Sequence, residues 1–115
     1  MRIWLARIAH ARSGDKADRA DIGLFAYDVP TYAVLKREVT AERVAQHFAW
    51  IAQGPVERYP LDNILAIKFV LNHALQGGAA RSLRSDNLGK TIAAALLRME
   101  IDIPEAEAST LPRLR

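Results

Sequence analysis

Two stretches of the chain carry residue types that could do chemistry. The first, ARSGDKADRADIG at residues 11–23, sets Arg12, Asp15, Lys16, Asp18, Arg19 and Asp21 among small residues, between two apolar runs. Ser13, Gly14 and Asp15 are turn formers, because glycine permits a positive φ and the two side-chain oxygens can accept from neighbouring amides. Successive amides around such a glycine form a concavity suited to an anion, and Lys16 adds a charged donor. A structural reading stands beside this one, in which Arg12, Asp15, Lys16 and Asp18 pair with one another and staple a long loop. The second stretch, GGAARSLRSDNLGK at residues 77–90, places Gly77 and Gly78 ahead of Arg81, Ser82 and Arg84. Ser85 or Asp86 can cap a helix containing Lys90, so cations would gather near helix N-terminal amides, a fit for phosphate or carboxylate. Its structural alternative is a glycine helix stop, solvated arginines and a plain cap.

Other chemistries find less support. The second glycine and the GK[ST] ending of a Walker loop are missing from residues 11–23. Asp15, Asp18 and Asp21 recur every third residue, whereas a calcium loop needs alternate ligands and a late glutamate. His10, His47 and His73 share no metal-ligand spacing, so no metal site and no cofactor is expected. A triad could be assembled from Ser13, His10 and Asp15, but no nucleophile elbow surrounds the serine. Trp4, Trp50, Phe48 and Phe69 fall inside periodic segments and read as core. Aromatics are not interleaved with cations, which argues against a nucleic-acid module.

Composition bounds the rest. The chain of 115 residues is the size of one domain, half hydrophobic and a quarter charged. Its formal charge of +3 is too mild to demand nucleic acid, although twelve of the sixteen cations are arginine, the residue suited to bidentate anion contacts. Without cysteine there is neither a disulfide nor a thiolate metal site, which fits a reducing compartment. The N-terminal residues lack the apolar core of a signal peptide, and the run ILAIKFVL is far short of a membrane span. A soluble cytoplasmic domain with no membrane association is the expectation.

Patterning then supplies the elements that must position these residues. Residues 3–11 read as a first, central strand, and residues 20–28 as a second, with Gly23 marking a bulge or a close backbone approach. Pro30 opens a helix-like stretch. Thr40 caps a further helix over residues 41–52, with Val44, Phe48 and Ile51 on one face, ended by Gly54-Pro55. Residues 56–60 read as a third strand. Residues 63–75 are apolar all round, and helix and buried strand both stay open. A last helix follows in SDNLGKTIAAALLRME, with IDIP as a closing strand. One domain over residues 1–104 is expected, with residues 105–115 a flexible tail. The sum is an α+β two-layer sandwich, helices on one face of a small, mostly antiparallel sheet. Residues 3–9 and 22–26 are expected as neighbours in that sheet. Strands apolar on both faces would leave one face for self-association or a partner.

Taken together, ARSGDKADRADIG, VERYPLDNILAIKFVL and ALQGGAARSLRSDNLGKTIAAALLRMEIDIP resemble the C-terminal domain of the acyclic terpene utilisation (AtuA-like) family, from about Ile3 to Pro104. The SGDK loop is the most specific piece and the GG…SLR…D..GK segment a second match. Where the family reads SGDKGD and NIG, this chain has Ala17 and Asp21. The resemblance implies a ferredoxin-like fold. It also implies a stand-alone small subunit or accessory domain, tied to acyl-CoA or acyclic terpenoid catabolism and assembling with a separately encoded large partner or with itself. It assigns no reaction and no catalytic residue. The alternative is a small-ligand or catalytic domain whose anion pocket joins Ser13, Gly14, Asp15 and Lys16 to Gly77, Gly78, Arg81, Ser82 and Arg84.

Overall fold

The computed structural model describes residues 1–16, 19–49, 54–72 and 88–114. Within them the chain is α+β, built on a four-stranded antiparallel sheet and a separate two-stranded one. The larger sheet holds β2 (Ala9–Lys16), β3 (Arg19–Ala26), β4 (Val56–Leu61) and β5 (Ala66–Leu71), in the order β2-β3-β5-β4. The smaller pairs β1 (Arg2–Trp4) with β6 (Glu100–Asp102), Ile3 opposite Ile101.

Residues 3–9 therefore do not form one strand beside residues 22–26. A 3₁₀ turn over Leu5–Arg7 separates β1 from β2, and Leu5 N–H donates to the Met99 carbonyl at 2.9 Å. The reason lies in burial phase. Ile3, Leu5 and Ile8 are all buried, but a continuous strand would send Arg7 inward and Ile8 outward. The turn shifts the phase by one residue, and the chain enters the second sheet with Ala9 opposite Ala26.

β3 alternates strictly, whereas β5 buries every residue but Lys68. Ala20, Ile22, Leu24 and Ala26 of β3 point into the core, as do Ile67, Phe69 and Leu71 of β5. Residues 66–71 of the ambiguous apolar run are thus strand; its last three, 73–75, lie outside the described residues. Leu65, just ahead of β5, takes the left-handed conformation (φ 54°), and its carbonyl accepts from Ala26 N–H.

Helices cover the core face. α1 (Val29–Glu38) begins at Asp28, whose carboxylate accepts from Thr31 N–H at 2.9 Å, with Pro30 in its first turn. α2 (Ala41–His47) begins at Thr40, whose hydroxyl accepts from Arg43 N–H, and it buries Val44 and then Phe48. α3 (Leu88–Leu97) lies over β2 and buries Ile92, Ala93 and Leu96. Arg58 of β4 ties the sheet to this layer, donating to the Val39 and Lys36 carbonyls.

The segment after Pro104, expected to be flexible, is docked in this structure. It forms a short helix, α4 (Glu105–Ala108), and a 3₁₀ turn over Pro112–Leu114. Ala108 and Leu111 enter the core, and Arg37 of α1 makes a bidentate pair with Glu107 at 2.6 and 2.9 Å. The apolar residues of this segment show no periodicity in the sequence, yet burial of Ala108 and Leu111 anchors so short a piece.

Candidate ligand-binding face

The charged stretch that the sequence suggests as a loop is a β-hairpin. Ser13, Gly14, Asp15 and Lys16 are strand residues opposite Ile22, Asp21, Ala20 and Arg19. The turn expected at Ser13-Gly14-Asp15 is absent, because these residues continue the ladder instead of reversing the chain. No staple forms at Arg12 either: among the described residues it has no carboxylate within 4.0 Å. Gly77, Gly78, Arg81, Ser82 and Arg84 lie outside the described residues.

What the hairpin does instead is set Arg12 and Asp21 on the sheet face that the described helices leave open. Residues opposite one another across the strands form rows on that face. One row reads Arg12, Gly23, Lys68, Tyr59 from β2 through β3 and β5 to β4. The row on one side reads Gly14, Asp21, Val70, Glu57, and the row on the other His10, Phe25, Ala66, Leu61. The face is thus striped, with a cationic row between an acidic row and an aromatic-apolar one. A groove of about 380 Å³ crosses it, lined by Arg12, Ser13, Gly14, Asp21, Phe25 and Lys68 among others.

Gly23 gives its side-chain space to a neighbour on the same strand. A Cβ there would stand 2.9 Å from Phe25 Cε2, so the Phe25 ring leans over the bare glycine. Arg12 and Lys68 flank that position from the two neighbouring strands, about 10 Å apart at Cα by two strand spacings. Both side chains are exposed, and neither has an ion-pair partner among the described residues. Asp21 sits over Gly14, its Oδ1 3.4 Å from where a Gly14 Cβ would be.

An aromatic series bounds the groove on its apolar side. Phe25 stacks on His10 with ring centroids 5.0 Å apart and planes 9° from parallel, and His10 meets Tyr27 at 5.1 Å. Arg113 lies over Tyr27 at 4.0 Å, joining the C-terminal segment to the series. On the acidic side, Glu57 accepts from Asn72 Nδ2 at 2.7 Å and from the Tyr59 hydroxyl, and these bonds hold its carboxyl below the usual range. Glu57 stays anionic at neutral pH.

Ser13 and His10 stand three positions apart on β2, so the pleat turns them to opposite faces and no triad joins them. Among the described residues no group of three His, Asp or Glu side chains is placed to hold a metal ion, and no helix is long and apolar enough to cross a membrane. The residue that sequence reasoning missed is Lys68. Its signal was present: it is the one charge within ILAIKFVL, at the single exposed position of β5.

A family model, the AtuA ferredoxin-like domain, matches residues 3–102. The chain belongs to this family. The AtuA ferredoxin-like match spans both sheets and both hairpins, from Ile3 of β1 to Asp102 of β6. Neither a curated protein nor a solved structure matches the chain.

Proposed function

We propose that this AtuA ferredoxin-like domain binds a small anionic molecule on the open face of its four-stranded sheet, serving acyl-CoA or acyclic terpenoid breakdown. One observation carries the reading: Arg12 and Lys68 line one groove on either side of Gly23, with no carboxylate of the described residues paired to either. Charge-assisted hydrogen bonds from such a pair contribute about 1.5–3 kcal/mol each. Neither cation enters the core, so their removal leaves the fold intact. In calorimetric titrations with CoA thioesters, free carboxylates and inorganic phosphate, Arg12→Ala and Lys68→Ala are each expected to weaken binding about tenfold or more. Equal affinity in wild type and both variants, or no binding to any of these anions, overturns the proposal.

A second reading, assembly with a larger AtuA-like domain or with another copy, is favoured by a different observation. Tyr59 and Leu61 of the edge strand β4 expose 45% and 37% of their surface, and Ile64 in the 3₁₀ turn that follows exposes 51%. Co-expression with a large AtuA-like domain tests it. Wild type is expected to co-elute and Leu61→Asp to lose the complex, whereas separate elution of wild type rejects the reading.

A further inference from the structure

We infer that the open sheet face docks on the same face of a second copy, about a twofold axis lying along the rows, between the cationic row and the acidic one. The inference rests on the assembly reading above and narrows it to one partner, a second copy of this chain, in one register.

The charge pattern of the face is what commits it to a second copy. Two cations, Arg12 and Lys68, stand in one row, and two anions, Asp21 and Glu57, stand in the next. Arg12, Asp21 and Lys68 are exposed, and none of the three has an ion-pair partner within 4.0 Å among the described residues. Glu57 has only Arg19, at 3.9 Å. A twofold interface sets each patch against its own image. The axis runs above the Ile22–Phe69 pair and lays the cationic row of one copy over the acidic row of the other. Residues of β3 then meet in reverse order, with Asp21 facing Gly23 of the second copy and Arg19 facing its Phe25. On β2, Arg12 faces Gly14 of the second copy. Charges along the shared row alternate between copies: Arg12, Asp21 of the second copy, Lys68, then Glu57 of the second copy. The steps are about 4.8 Å, the spacing of the strands.

Shape agrees with charge. The long Arg12 side chain meets a glycine, and so does Asp21. Packed sheets stand about 10 Å apart, which leaves room for Phe25 leaning over Gly23 and for Asp21 reaching from the other copy. Arg19 over the Phe25 ring adds a cation–π contact. A twofold axis along the strands is the competing arrangement, and charge disfavours it. Each row would lie on its own image, with four cations in one and four carboxylates in the next. Patterns of this kind fix partner and register more than they fix affinity. In the dimer, carboxylates of the second copy take Arg12 and Lys68, so a small anion and a second copy compete for one face.

Sedimentation velocity of the full chain tests the inference. Wild type is expected to dimerise at low salt and to dissociate at about 1 M salt, where the screening length falls to about 3 Å. Asp21→Lys gathers three cations at each contact, and the double variant Arg12→Glu with Lys68→Glu gathers three carboxylates. Each is expected to be monomeric alone. Mixed, they restore opposite charges at both contacts and are expected to form a heterodimer, a rescue that misfolding of either variant would prevent. Wild type that stays monomeric at every concentration overturns the inference. So does a dimer indifferent to salt and to these substitutions, or a pair of monomeric variants that stay apart on mixing. Monomeric wild type that co-elutes with a large AtuA-like domain overturns the second copy and leaves the assembly reading in place. Monomeric wild type that also elutes apart from that domain removes both.

Discussion

Gly23 and Tyr32 show how single residues acquire roles from their neighbours. A glycine inside a strand suggests a bulge or a close approach, and Gly23 is the second: Phe25 occupies the space that a Cβ would need. The sequence marked the position and could not say which cations flank it, since Arg12 and Lys68 are 56 positions apart and meet only through the register of three strands. Tyr32 carries no such mark. Its ring is buried at the base of α1, and its hydroxyl donates to Asp62 at 2.6 Å. Burial, then this bond, pushes its pKa from the ordinary 10 to about 12. A raised pKa means that the folded state holds the proton more tightly. Stability is therefore complete below pH 10 and falls as pH rises from 10 to 12, where the unfolded chain ionises first. Urea midpoints across that range are expected to decline in wild type and to decline less in Tyr32→Phe. Parallel curves would remove Tyr32 from the account.

Among the elements, helices were the more legible. Pro30 and Thr40 announced α1 and α2 because a first-turn proline and an N-cap hydroxyl satisfy or remove amides that every helix start leaves open. The hairpin resembles a loop in sequence because its open face is polar: charges at alternate positions satisfy a solvated strand as well as they satisfy a turn. The β1–β2 break was equally hidden, since only the need to bury Ile8 in place of Arg7 reveals the phase shift. The C-terminal segment is held by Leu111, fully buried, and by the Arg37–Glu107 pair. Leu111→Ala is expected to lower unfolding free energy by about 2–5 kcal/mol in urea denaturation, the cost of a large-to-small core change. A loss under about 0.5 kcal/mol, the scale of a surface substitution, would show that the segment contributes little to the fold.

For the molecule as a whole, stability should be uneven. The β2–β3 and β4–β5 hairpins are local in sequence and share one core, whereas β1 and β6 join residues about a hundred positions apart through three pairs. A two-stranded ribbon of that length is marginal by itself and depends on the core beneath Ile3 and Ile101. Native-state hydrogen exchange is expected to show the amides of β1 and β6 opening at lower free energy than those of Ile22 and Phe69. Equal protection would mean that both sheets unfold as one cooperative unit. Fold class was legible from composition and alternation. The division into two sheets was not, because it depends on which distant strand each edge meets.

The register has one more consequence. The two hairpins meet centre strand to centre strand in opposite directions, so the backbone of the sheet has an approximate twofold axis through the Ile22–Phe69 pair. Half a turn about it carries the position of Arg12 onto that of Glu57, Lys68 onto Asp21 and Gly23 onto Val70. The backbone is symmetric under that operation and its charges are reversed by it. The open face is therefore an electric dipole running along the strands, with an anion drawn to one end and turned away from the other. Two rows of equivalent geometry are present, and of these only the row through Gly23 carries the two cations, Arg12 and Lys68.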